Sequence, residues 1–363
     1  MKIGILGLPG SGKSTLWCFL TENLEGPDLA LVGKLQLKRV PVHDPRLERL
    51  RDDYQPKKYT PAQLEIGDFP AMSRDEGGDR AGIAQLLAPA RTMEVLIVIL
   101  RGFENSLIPP HGGHVDPIRD WNEIRSDLIL SDLVIVEKRI EKLRVQVKKP
   151  TPTQENDRKE LALLEKLYEH LEADKELVHY PFTDMERKQV TGFQFLSAKP
   201  KVAILNRGEP PHTEEEMKKL RDAVNPDDGN IPCFDVPVLN ELEILQLPPE
   251  EQEAFREELG VLPETRQKIL SDCYSEANLI SFFTAGEKEV RAWTIRKGEM
   301  AVEAAEEIHS DIARGFIRAE TVSIGDYLQY SSIKKAKEKG HLRLEGKEYV
   351  VKDGDIIEYR FSI

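Results

Sequence analysis

The chain has 363 residues, with 51 Lys+Arg against 64 Asp+Glu and a formal net charge of −13. That length suffices for two or three domains, each with a full core, and that charge excludes a protein that coats nucleic acid by bulk electrostatics. Cys18, Cys233 and Cys273 are far apart and form no C-x-x-C pair, which argues against a zinc site or a disulfide framework and fits a reducing cytoplasm; no run reaches transmembrane length.

Met1–Leu16 read MKIGILGLPGSGKSTL. An apolar run meets G-x-x-x-x-G-K-S and then a helix-like pattern, the strand–loop–helix context of a phosphate-binding loop rather than of a secretory leader. Glycine lets backbone N–H groups turn inward, and the helix N-terminus adds its dipole, so Leu8, Pro9, Gly10, Ser11, Gly12, Lys13, Ser14 and Thr15 are expected to wrap a nucleotide's phosphates. Lys13 can reach the β- and γ-phosphates and the Ser14 hydroxyl can ligate Mg²⁺. Further short apolar runs at 38–43, 63–68, 94–103, 201–206 and 233–239 mostly lack polar alternation, as strands buried on both faces of a parallel sheet do. Helical segments at 14–21 and 79–90 lie between them, which is the alternation of an α/β mononucleotide fold. Asp68 ends one of these runs, where a carboxylate is the expected second anchor for Mg²⁺ through water.

From about 117 to 190 the pattern is helical. Ile129, Leu133, Val136, Ile140, Leu143 and Val147 form one seam; Pro150–Thr153 break it; Leu161, Leu164, Leu167 and Leu171 form a second. Two helices joined by a short turn predict an antiparallel hairpin. The strand at 201–206 then runs into Asn206-Arg207-Gly208-Glu209. Guanine readers place N-K-x-D here; Glu209 is one methylene longer than that Asp, while Asn206 can offer donor and acceptor to an adenine edge, so adenine is tolerated or preferred. Ser197-Ala198-Lys199 imitates a guanine-binding S-A-K but precedes the Asn loop, and reads as a helix-to-strand loop. Val236–Leu239 stands where the fifth loop belongs and is chemically bland. After 278 short strands and turns surround one helix read at 302–313, a small mixed sheet gripping a helix. This region holds 14 Lys+Arg against 15 Asp+Glu, so the excess acidity lies before it.

Several local stretches carry a resemblance: Val40-Pro41-Val42-His43-Asp44-Pro45-Arg46-Leu47, Phe103-Glu104-Asn105, Val115–Asp120, the N-x-x-E loop, Phe282–Gly286, Glu289–Thr294, Ile308-His309, Gly315–Ala319 and Val351-Lys352-Asp353-Gly354-Asp355. Over nearly its whole length the chain resembles the YchF/Obg-like ATPase family of translation-factor-related P-loop NTPases. The resemblance implies an α/β fold with three parts. A P-loop mononucleotide-binding domain (1–120 and 195–277) is interrupted by an α-helical hairpin or coiled-coil arm (121–194), and a C-terminal β-grasp, ubiquitin-like TGS domain follows (278–363). It implies binding of ATP, with GTP accepted, and slow Mg²⁺-dependent hydrolysis. It also implies a cytoplasmic monomer, without membrane attachment, that meets the ribosome or structured RNA through the TGS domain and the arm. Lys334, Lys335, Lys337, Lys339 and Arg343 offer phosphate contacts there, or simply a solvated face.

The chain departs from its relatives in the switches. D-x-x-G becomes Asp68-Phe69-Pro70-Ala71, and no Thr or Ser stands between Glu25 and Val42 to ligate Mg²⁺. Met72 fits the family's hydrophobic residue where Ras-like proteins orient water with glutamine. Relatives carry a His after F-E-N; His111 and His114 bracket that position and are the candidates to orient or deprotonate water beside Lys13. The leading expectation is a slow Mg²⁺-dependent ATPase, and the alternative is a nucleotide-binding adaptor whose hydrolysis is lost. A small-molecule kinase ranks third, because no lid or phosphate-acceptor arginine cluster is evident.

Overall fold

The computed structural model describes residues 1–26, 28, 35–69, 80–226, 229–262 and 264–362. Among them the strands are, in chain order, β1 (Lys2–Leu6), β2 (Gln36–Pro41), β3 (Lys58–Thr60), β4 (Gln63–Asp68), β5 (Val95–Gly102), β6 (Lys201–Arg207), β7 (Cys233–Val236), β8 (Leu279–Ala285), β9 (Glu289–Arg296), β10 (Phe316–Ser323), β11 (Arg343–Glu345) and β12 (Asp355–Phe361). The chain divides into two compact units, Met1–Lys38 with Glu65–Ile269, and Arg39–Leu64 with Leu270–Ile363.

The first unit holds a six-stranded sheet in the order β2-β4-β1-β5-β6-β7. β1 pairs in parallel with β4 on one side and β5 on the other, and β5–β6 and β6–β7 are parallel too. The apolar run 95–100 is buried throughout because both faces of β5 are covered. Strand order reverses at β1, so the crevice beyond its C-terminal end is where an open α/β sheet binds ligands. The loop 7–12 sits at that end.

The predicted hairpin is formed by helices Pro117–Gln146 and Gln154–Glu172. Ile129, Leu133, Val136, Ile140 and Leu143 pack against Leu163, Leu164, Leu167 and Leu171. Arg139 forks onto Glu160 at 2.7 and 2.7 Å, and Arg144 meets Glu165 at 2.9 Å. Partly exposed pairs contribute about 0–1 kcal/mol, against ~2 kcal/mol for each buried leucine, so the seam holds the hairpin and the ion pairs tune its register. The first helix begins inside the nucleotide-fold core, where Trp121 and Ile124 pack with Leu8, Val98 and Leu205.

In the second unit the sheet order is β11-β10-β12-β8-β9-β3. β8–β9, β10–β12 and β10–β11 are antiparallel, while β12–β8 and β3–β9 are parallel. Helix Ala301–Ile308 covers one face, its Ala301, Ala304 and Ala305 approaching Phe282, Ile295 and Ile357 closely because they lack bulk. The expected single helix over 302–313 is broken at His309, which is extended (φ −170°) and caps a second short helix, Ser310–Arg314. The other face is covered by residues assigned from the sequence to the nucleotide-binding domain. Leu47 and Leu50 of helix Pro45–Tyr54, with Tyr327, pack on Phe283, Val290, Val322 and Ile356. That apolar stripe is the physical reason 39–64 belongs to this unit.

Candidate functional site

The loop after β1 is shaped by two glycines in left-handed conformation, Gly10 (φ 75°) and Gly12 (φ 95°). At Gly12 a Cβ would also lie 2.3 Å from the Asn206 amide nitrogen, so glycine is required on both counts. Leu8 is buried and its carbonyl accepts from the Ser11 amide at 3.2 Å, while Pro9 is half-buried. Helix Lys13–Thr21 follows directly, with Ser14 exposed and Thr15 half-buried at its start.

Lys13 is 8% exposed, and its ammonium donates to the Gly7 carbonyl at 2.8 Å. Burial pulls its pKa down to about 8, with the Asp68 charge opposing. The Ser14 hydroxyl donates to Asp68 Oδ2 at 2.8 Å. Trp17 Nε1 donates to the Ile66 carbonyl at 2.9 Å, which fixes the helix to β4 and hence Asp68 to Ser14. Burial raises the Asp68 pKa, offset by the Ser14 hydrogen bond and then by Lys13. Asp68 Oδ1 is buried without a hydrogen-bond partner among the described residues. An orphaned carboxylate oxygen beside a serine hydroxyl is a hard-oxygen donor set that fits Mg²⁺. Among the described residues no three His, Cys, Asp or Glu are grouped to hold a metal. A cation here would therefore complete its shell with water and phosphate oxygens.

Asn206 is the penultimate residue of β6, beside this loop. Its Nδ2 donates to the Ser11 carbonyl at 2.9 Å, and its Oδ1 accepts from the Val238 amide at 3.3 Å. Both polar ends, expected to face a base, are thus used to tie the cradle to the segment after β7. Glu209 is exposed three residues on. Arg207 is buried and donates to the carbonyls of Gly208, Glu209 and Leu259, which braces the loop from within. Behind it burial pushes Glu241 up to about 7, against the opposing charges of Arg256 and Arg207.

His111 pairs through Nε2 with Glu123 at 2.9 Å, and His114 lies exposed, 3.8 Å from Asp116. Arg119 gathers both of their carbonyls. Among the described residues neither imidazole hydrogen-bonds to the cradle, whereas Lys13, Ser14, Asp68 and Asn206 are brought together. The switch departures at 31–34, Pro70, Ala71 and Met72 lie outside the described residues.

One residue the sequence reading missed is Arg101. It is buried at the end of β5 and donates to the carbonyls of Phe103 (3.0 Å), Ile108 (2.8 Å) and Pro109 (3.4 Å). Its Nη1 lies 3.1 Å from where a Cβ on Gly10 would stand. The available signal was a lone charge inside an apolar run. The S-A-K imitation is structural: Ser197 donates through its amide and hydroxyl to buried Asp132, which also holds Arg91.

A sheet with parallel β4, β1, β5, β6 and β7 whose order reverses at the strand feeding G-x-x-x-x-G-K-S defines the class, a P-loop α/β protein. The chain is 36% identical to the ribosome-binding ATPase YchF of Bacillus subtilis (strain 168), with 100% of both chains covered. It is 34% identical to the ribosome-binding ATPase YchF of Escherichia coli O157:H7, covering 100% of this chain and 99% of that one. The solved structure of the Schizosaccharomyces pombe YchF GTPase matches with a TM-score of 0.83 at 28% identity, over 99% of this chain and 97% of that one. The YchF-GTPase C-terminal family model, described as a protein of unknown function (DUF933), matches residues 279–362. The chain belongs to the YchF family. Among the described residues no helix is long and apolar enough to cross a membrane.

Proposed function

We propose that this chain binds ATP, with GTP tolerated, and hydrolyses it slowly with Mg²⁺ as a ribosome- or RNA-associated regulator of translation. The observation that carries the reading is the preassembled cradle: Lys13 folded onto the Gly7 carbonyl, with Ser14 on Asp68 beside it. Loop amides and the Lys13 ammonium would bind the phosphate tail and stabilise the charge that develops as water attacks in line. Ser14, and Asp68 through water, would hold Mg²⁺, whose chemistry is to neutralise the phosphate oxygens. Glu209 is exposed and would meet the base edge once Asn206 is spent on the loop. The names of the relatives support the ribosomal association. The second unit's sheet is read as the TGS domain and the hairpin as the coiled-coil arm, with exposed Lys334, Lys335, Lys337 and Lys339 available to RNA phosphates.

Calorimetric titration with ATP and GTP, with and without Mg²⁺, tests the proposal when paired with steady-state phosphate release. Lys13→Ala is expected to abolish binding or turnover. ATP binding unchanged in that variant would defeat the reading. Tight ATP binding with no turnover above the Lys13→Ala background would favour the second reading, a nucleotide-dependent adaptor. The sequence Asp68-Phe69-Pro70-Ala71 and the absence of Thr or Ser between Glu25 and Val42 favour that alternative.

A further inference from the structure

We infer that the second unit carries a ligand site of its own, a cleft of about 810 Å³ that takes a nucleoside phosphate. Every residue lining it belongs to that unit. It forms where two of the motifs singled out in the sequence meet, Val42–Arg46 and Val350–Asp353, beside the end of helix Thr265–Glu276 and the turn at Lys297-Gly298.

The ligand's chemistry follows from which groups are already used. Asp44 accepts from the Arg46 amide at 2.9 Å and from its guanidinium at 3.0 and 2.9 Å. Asp353 accepts from Arg46 Nη1 at 2.6 Å and from the Ser281 amide at 3.0 Å. Both carboxylates of the cleft are thus spent on one guanidinium and two backbone N–H groups. The remaining polar side chains that line it can all donate: the ammoniums of Lys297 and Lys352, the hydroxyls of Ser271 and Ser275 and the amide of Asn278. All five side chains are exposed, and among the described residues none is paired. His43 uses Nδ1 on Glu48 at 3.1 Å, which leaves Nε2.

Two ammoniums with hydroxyl and amide donors and no free carboxylate select an anion that also carries polar groups. Size and wall composition say more. The volume falls in the range of small-molecule sites, roughly 300–1,000 Å³, so a lone phosphate would leave most of it wet. Half-buried Val42 and Leu279 line the same cleft and offer apolar surface to a ring face, with Ile280 and Val351 buried behind them. Ring, hydroxyl-bearing sugar and phosphate together match the three kinds of wall. This site is distinct from the P-loop cradle and does not depend on how that cradle is read.

The test uses the full chain carrying Lys13→Ala, which removes the P-loop contribution, titrated calorimetrically with AMP, GMP and inorganic phosphate. Saturable binding of a monophosphate is expected, at least tenfold tighter than inorganic phosphate. Ser275→Trp, which fills the cleft from an exposed position, should weaken it at least tenfold. Lys297→Glu combined with Lys352→Glu, surface changes that spare the core, should do the same, so the proposal stays testable if either variant folds poorly. No saturation by either monophosphate up to ~5 mM, a weak −3 kcal/mol regime, overturns it. So does binding that both cleft variants leave intact, or inorganic phosphate binding as well as the monophosphates, which is ordinary attraction to surface lysines. ATP binding by the unmodified chain reports separately on the P-loop.

Discussion

Lys13 carries its charge in a place that penalises it. Burial lowers its pKa from 10.5 to about 8, with Asp68 opposing. Between those two values the unfolded chain holds a proton that the folded chain has released. Stability therefore rises with pH across that window, and the penalty, about 3 kcal/mol, is fully present below pH 8. A bound triphosphate would give the ammonium the negative partner it lacks and raise its pKa again. At pH 8 the apo protein is half deprotonated at Lys13, so the Lys13 share of proton uptake on ATP binding should be about half a proton per site, falling towards zero at pH 6.5. Calorimetry in buffers of different ionisation enthalpy measures this directly. Uptake that does not change between pH 8 and pH 6.5 would show that Lys13 is not the group responsible. Lys13, Ser14 and Asp68 were legible in the sequence because loop spacing and strand ends constrain them. The double use of Asn206 was not, since its partner Ser11 lies 195 residues away and no local pattern encodes that contact.

Elements were legible where one period dominates. The apolar runs became β1, β2, β4, β5, β6 and β7 within a few residues, and both leucine seams became helices. Three-residue β3 carries too little pattern to be seen, and the helix read at 302–313 breaks because His309 serves the backbone as a cap. The hairpin's first helix also continues unbroken into the nucleotide-fold core, which periodicity cannot reveal because the same stripe serves two neighbours in turn. Arg101 shows what one buried charge does for an element. It gives the segment 103–109 three of its backbone partners and so holds that segment beside Gly10. Arg101→Met keeps the stem's bulk but orphans those carbonyls, at a cost of ~1–3 kcal/mol for each that stays buried. Ile108 and Pro109 are exposed, so water can satisfy two of the three, and a net loss of ~1–2 kcal/mol in urea unfolding is the expected outcome. Nucleotide affinity should fall with it, because Ile108 and Pro109 no longer press on the loop. A stable Arg101→Met protein with unchanged affinity would mean the segment is held by something else.

At the scale of the whole molecule, folding units do not follow chain order. Residues 39–64 lie between the strands that end in the cradle, yet their apolar stripe packs on strands more than two hundred residues later. A sequence shows that such a helix has an apolar face, not which sheet it covers. Arg46 fastens the arrangement from the polar side, standing between Asp44 and Asp353 and 5.3 Å over the Phe283 ring. Arg46→Met should leave the two carboxylates without their shared cation while keeping the stem over Phe283. Asp353 is half exposed, so solvent screens part of the loss, and about a tenfold rise in local opening, ~1.4 kcal/mol, is the fitting scale. In hydrogen exchange the faster amides should be those of 44–54 together with 281–283 and 353–356, moving as one class. Those of 3–6 and 16–21 should keep their rates. If instead 44–54 loosened in step with the P-loop helix, the fragment would be folding with its chain neighbours, and its assignment to the second unit would fail.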